Sequence, residues 1–136
     1  MKLLLSILIA TLLQQGNPQS NSQAGSDSTP LKTVELFKKG IDENDMLVIC
    51  KVMSDEEGTG PLKQASYEQM QSSLEGLSTM WRAKPFTYGE TTYTGGNTAT
   101  SATVKVEVKS LKQEVNFVLE KYGNSWYIFD IEIFFR

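Results

Sequence analysis

The sequence predicts an α+β domain: three N-terminal helices packed on one face of a curved, four-stranded antiparallel sheet. Three observations predict it. Apolar residues recur at intervals of three and four from Leu31 to Trp81. From Phe86 onward the interval changes to two. The breaks between the later segments are short and rich in Gly and Asn. Helical spacing implies amphipathic helices, and a period of two implies strands. Short turns between successive strands imply a meander, and helices followed by strands imply one α+β unit.

The first helix is expected over 29–39. Ser28 or Thr29 can cap it, and Pro30 suits its first turn. Leu31, Val34, Phe37 and Ile41 fall on one side at helical spacing. Gly40 is expected to punctuate the chain just past the helix end. A second, well-buried helix is expected from about Glu43 to Met53, with a stripe of Met46, Ile49, Cys50 and Met53. Cys50 reads as a small core residue. SDEEGTGP, residues 54–61, reads as a solvated acidic loop, because its acids lack the alternating spacing of a calcium loop. The third helix carries the clearest stripe: Tyr67, Met70, Leu74, Leu77 and Trp81. Gly76 lies on its far side, and Pro85 closes the helical half.

FTYGETTYT, from Phe86, is a Thr- and aromatic-rich strand. Gly95-Gly96-Asn97 is a turn that tolerates positive φ. Ala102, Val104, Val106 and Val108 then alternate with Thr103, Lys105, Glu107 and Lys109. Val115, Phe117 and Leu119 oppose Glu114, Asn116 and Glu120 in the next strand, and Gly123-Asn124 turns into the last.

That last stretch, NSWYIFDIEIFF at 124–135, contradicts itself. Trp126 and Ile128 want one face; Ile131 and Ile133 want the same face but have the opposite parity. A one-residue bulge near Phe129 reconciles them and turns Asp130 and Glu132 outward. A strand covered on both sides, as at a dimer interface, is the competing solution. An unbulged register would instead put Trp126, Asp130 and Glu132 inside together.

The N-terminus suggests an address. Residues 1–13, MKLLLSILIATLL, join one Lys to an apolar run too short to span a bilayer. This pattern matches the start of a secretory signal, so residues 1–15 are expected to be a leader and the protein exported, to the periplasm, the cell envelope or beyond. The stretch LLQQGN has neither a lipidation Cys nor a good small-x-small cleavage site. Residues 16–28 carry no large apolar side chain and read as a flexible polar tether. The folded domain is expected over 29–136, and contact with a membrane only through the leader.

Composition excludes several chemistries. The 136 residues carry a net charge of −3, no His and one Cys. There is no basic cluster, so nucleic acid has no electrostatic footprint. Without His, imidazole bases and nucleophile–His pairs are absent. One Cys cannot build a zinc site, so no metal is expected. Gly58-Thr59-Gly60 is not a phosphate loop, and no cofactor motif occurs. Carboxylate and tyrosine chemistry remains. Asp130 and Glu132, with Tyr67 or Tyr88, are the candidate catalytic groups for proton abstraction beside a carbonyl.

The order of segments resembles a known family. It runs leader, tether, P-L-K-T-V-E-L-F-K-K-G-I-D-E-N-D, a buried helix, T-G-G-N-T-A-T-S-A-T-V-K-V-E-V and a closing G-N-S-W-Y-I. This resembles the nuclear transport factor 2-like superfamily, and within it small exported bacterial lipoproteins of unknown function. The resemblance implies a cone, with the sheet wrapped around the helices and a pocket at the open end. In such proteins the pocket can catalyse, bind a ligand or do neither, and dimers often form through the sheet.

The leading expectation is an exported, non-enzymatic domain that binds a small apolar ligand or a protein partner. Tyr67, Met70, Trp81, Tyr88 and Trp126 are the expected pocket lining. The alternative is an isomerase or lyase using Asp130. A homodimer is also expected, with Phe134 near its centre.

Overall fold

The structure is a computed structural model, and it describes residues 28–136. The expected leader, and all of the tether except Ser28, lie outside the described residues. Helices α1 (Pro30–Glu43), α2 (Met46–Lys51) and α3 (Tyr67–Trp81) come first. Strands β1 (Thr87–Thr94), β2 (Ser101–Val108), β3 (Gln113–Tyr122) and β4 (Ser125–Phe135) follow. The protein is therefore α+β. Its four strands form one antiparallel sheet in the order β1-β2-β3-β4. Short 3-10 turns at Gly96–Thr98 and Lys109–Leu111 lie between strands, so helical turns are not confined to the first half.

Thr29 caps α1: its Oγ1 accepts from the Lys32 amide at 3.1 Å. The helix does not stop at Gly40. It continues to Glu43 and closes at Asn44, whose φ of 55° lets its amide reach the carbonyls of Gly40 and Ile41. Gly40 serves packing instead. A Cβ there would sit 2.8 Å from the Ile49 side chain, so glycine lets α1 and α2 approach closely. Arg82 ties the same corner, donating from Nη2 to Asn44 Oδ1 and Ser78 Oγ, both at 2.8 Å.

The second helix is shorter than its stripe implies. Asp45 caps it, and it ends at Lys51. Beyond it the chain becomes a short neighbour of β4. The Ile128 amide donates to the Val52 carbonyl at 2.7 Å, and the Ser54 amide donates to the Ile128 carbonyl at 2.9 Å. Met53 thus pairs with Ile128 in a parallel bridge. Pairing with the sheet satisfies the backbone groups that a longer helix would have held.

Ser28 belongs to the fold. Its Oγ accepts from the Trp126 amide at 3.3 Å, and Thr33 Oγ1 donates to the Trp126 carbonyl at 3.1 Å. The start of α1 is thereby fixed to β4.

The core lies between helices and sheet. Ala102, Val104, Val106 and Val108 of β2 are buried, as are Val115, Phe117 and Leu119 of β3. Leu74 and Trp81 of α3 are buried, with Tyr67, Met70 and Leu77 packed against them. Phe37, Trp81 and Phe117 meet with ring centroids 5.5–6.4 Å apart. Such aromatic pairs contribute about 0.5–1.5 kcal/mol each beyond their area. Gln113 lies among them, because it shares the inward parity of Val115 and Phe117. Its Oε1 accepts from Trp81 Nε1 at 2.8 Å, which satisfies the one polar atom of a fully buried indole. Cys50 is also buried, and burial raises the pKa of its thiol.

Candidate functional site

The register of β4 decides what its side chains can do. Leu119 pairs with Ile128, and the next residue of β3, Val118, pairs with Asp130. Phe129 is therefore an extra residue, and the strand carries a one-residue bulge there. Trp126 and Ile128 are buried before it; Ile131 and Ile133 pack partly against the core after it. The bulge keeps both apolar pairs inward despite their opposite parity.

Asp130, Glu132 and Phe134 consequently point outward, and all three are exposed. Asp130 Oδ1 accepts from the Ile131 amide at 2.8 Å. Tyr88 pairs with the buried Val106 and packs on Phe86 at the inner side of β1. Asp130 and Tyr88 thus lie on opposite faces and opposite edges of the sheet. Tyr67 is on α3, which also packs on the inner face. The carboxylate–phenol pair that proton abstraction requires is not assembled by these residues.

The five residues expected to line a pocket are not brought together either. Trp81 is fully buried among Phe37, Phe86 and Phe117. Tyr88 follows Phe86 at that end of the core. Trp126 sits elsewhere, its ring 5.9 Å from Tyr93. Met70 alone of the five borders the cleft beside α3. This is a shallow cleft of about 240 Å³ between the 54–63 loop and α3, lined mainly by polar side chains such as Glu56, Lys63 and Gln69. The side chains expected to surround a ligand belong to the core or pack against it. Trp and Tyr at helical or strand spacing suit a pocket and a packed core equally well, so the pattern alone could not separate them.

Two groupings escaped the sequence reading. Lys38, a charged residue of α1, is only 8% exposed. Its ammonium pairs with Asp42 and lies 5.1 Å from the centre of the Phe86 ring. Asp42 also accepts from the Ala83 amide at 3.0 Å. Burial, then Glu35 and Asp42, raise the pKa of the nearby Tyr88 phenol. The i,i+4 spacing of Lys38 and Asp42 was the available signal. The second grouping is the 54–61 loop, which folds over the outer side of β4. Asp55 organises it, accepting from the Thr59 hydroxyl and amide at 2.7 Å each. Those hydrogen bonds lower its pKa. Tyr122 donates to the Gly58 carbonyl, and the Phe129 ring packs directly on Gly58.

Beyond this cover the outer side of β4 is open. Phe134 and Phe135 are 52% and 75% exposed. The outer face of β2–β4 carries Glu107, Glu114, Glu120, Asp130 and Glu132 against Lys105 and Arg136. Arg136 pairs with Glu107 and, at 3.5 Å, with Glu114. Among the described residues no group of His, Cys, Asp or Glu is placed to hold a metal ion. Nor is any described helix long and apolar enough to cross a membrane. Comparison with known protein families, curated proteins and solved structures finds no match to this chain.

Proposed function

We propose that this chain is an exported, non-enzymatic domain of the nuclear transport factor 2-like type that works through the end of β4. Its occupant is a protein partner, not a small apolar ligand held within the cone. The exposure of Phe134 and Phe135 beside the acidic outer face carries this reading. Large exposed aromatic side chains grouped at one place mark contact surfaces. Charges around an apolar centre are the usual anatomy of such a surface. The packing of Trp81 and Trp126 supports it as well, since both side chains are buried against neighbouring rings of the chain itself.

Site-specific photo-crosslinking tests the proposal. A photoreactive phenylalanine at position 134 should yield a covalent adduct with a protein when the chain is made in its own cells. The same probe at Thr92, on the opposite edge of the sheet, should yield none. Adducts at Thr92 and none at position 134 would overturn the reading. A shift in tryptophan emission on adding fatty acids or sterols would overturn it in favour of an interior ligand.

A further inference from the structure

We infer that the partner at this surface is a second copy of the chain, joined by antiparallel pairing of residues 130–136 across a dyad at Ile133. The inference rests on the proposed contact role of β4 and adds its occupant and register. It begins with the backbone. The Arg136 amide donates inward to the Lys112 carbonyl at 2.9 Å. Backbone groups alternate along a strand, so residues 131, 133 and 135 present their N–H and C=O groups to the outer edge. That edge is taken by Val52 and Ser54 at Ile128, but among the described residues no strand continues along it. The Ile131 amide instead turns to the carboxylate of Asp130.

Self-complementarity selects the register. A dyad at Ile133 sets Ile133 against Ile133, Ile131 against Phe135, Glu132 against Phe134, and Asp130 against Arg136. Residues 131, 133 and 135, whose backbone groups face the edge, then pair only with one another, giving about six N–H···O bonds across the dyad. Phe135, three-quarters exposed in one copy, is covered by Ile131 of the other. Asp130 exchanges the Ile131 amide for the Arg136 guanidinium, which leaves Glu107 and Glu114 of its own copy, and the ladder takes the released amide. A dyad at Glu132 would oppose two glutamates, and one at Ile131 would oppose Asp130 to Glu132. Face-to-face stacking would press two acidic outer faces together. Edge pairing keeps those faces side by side and brings a cation to one of their carboxylates. Like charges directly opposite destabilise a pair, and unlike charges stabilise it.

Disulfide trapping tests both partner and register. Glu132→Cys and Phe134→Cys are made separately in the full chain; Cys50 is buried and does not compete. Mixed under mild oxidation, they should give a covalent dimer, because a laterally adjacent pair across the dyad suits disulfide geometry. Each variant alone should give none. Sedimentation of the unaltered chain at about 100 µM should show a dimer, and Asp130→Arg should weaken it at least tenfold while leaving the circular dichroism unchanged. A clean monomer would overturn the pairing. A disulfide from Phe134→Cys alone would overturn the register. A monomer whose position 134 still crosslinks to a different protein would remove this inference and leave the contact surface standing.

Discussion

The two edges of the sheet, β1 and β4, solve the same problem differently. Each exposes backbone groups that another strand could join, and each carries a bulge. In β1 the register shifts between Tyr88 and Thr91, at Gly89-Glu90. The rest of that strand is Thr-rich, and most of it is exposed. A polar, bulged strand is a poor template for pairing. β4 is protected in part only. Ser28 and Thr33 meet it at Trp126, Val52 and Ser54 at Ile128, and the acidic loop covers Phe129. Past Asp130 no other described strand pairs with its edge, and its side chains are Ile, Glu and Phe. The difference between the two edges lies in the side chains they present: polar and Thr-rich on β1, large and apolar at the end of β4. Tyr93 of β1, which pairs with Ala102, and Trp126 of β4 link the two edges across the inner face, their ring centroids 5.9 Å apart.

The largest expected effect separates the edges by stability. Ile128 is fully buried and carries both hydrogen bonds to the 52–54 segment. Ile128→Ala should cost about 2–5 kcal/mol, from lost burial and the cavity left behind. Thr92→Ala on β1 should cost within about 0.5 kcal/mol, as exposed sites usually do. Urea midpoints measure both. Similar losses at the two sites would show that the edges are equally integrated and that the contrast is false.

A smaller effect isolates the loop cover. Gly58 has a φ of +69°, and a Cβ there would sit 2.7 Å from the Phe129 ring. Gly58→Ala should therefore cost about 1–2 kcal/mol from the left-handed backbone, and more if the ring cannot move. Faster amide exchange should be confined to residues 55–60 and the start of the bulge. Unchanged exchange there would mean that the loop does not cover β4.

The smallest effect concerns pH and belongs to β1. The pKa of the Tyr88 phenol is raised, chiefly by burial, so the folded state holds its proton where the unfolded chain releases it. Its contribution is complete below the unfolded tyrosine value of about 10 and is lost as pH rises past it. Tyr88→Phe should flatten the decline in stability above that pH and change little at neutrality. An unchanged alkaline slope in Tyr88→Phe would place the phenol in water.

Much of the fold was legible because its signals are local. The Thr29 cap, the stripe of α3, the alternation of β2 and β3 and the Gly-rich turns each involve neighbours in the chain. Even the β4 bulge could be read, since only an extra residue lets Trp126, Ile128, Ile131 and Ile133 share a face, and that sends Asp130 and Glu132 outward. The open aromatic end at Phe134 followed from the same parity. Tertiary structure decided what depends on distant partners. Gly40 looks like a helix stop until Ile49 is seen against it. Met53 looks helical until Ile128 offers its backbone. Gln113 looks like a surface residue until Trp81 needs an acceptor, and Lys38 until Asp42 and the Phe86 ring receive its charge. Tyr67, Met70, Trp81, Tyr88 and Trp126 could line a cavity or fill one. Residue type and spacing are the same in both cases; only packing density, a property of the assembled core, distinguishes them.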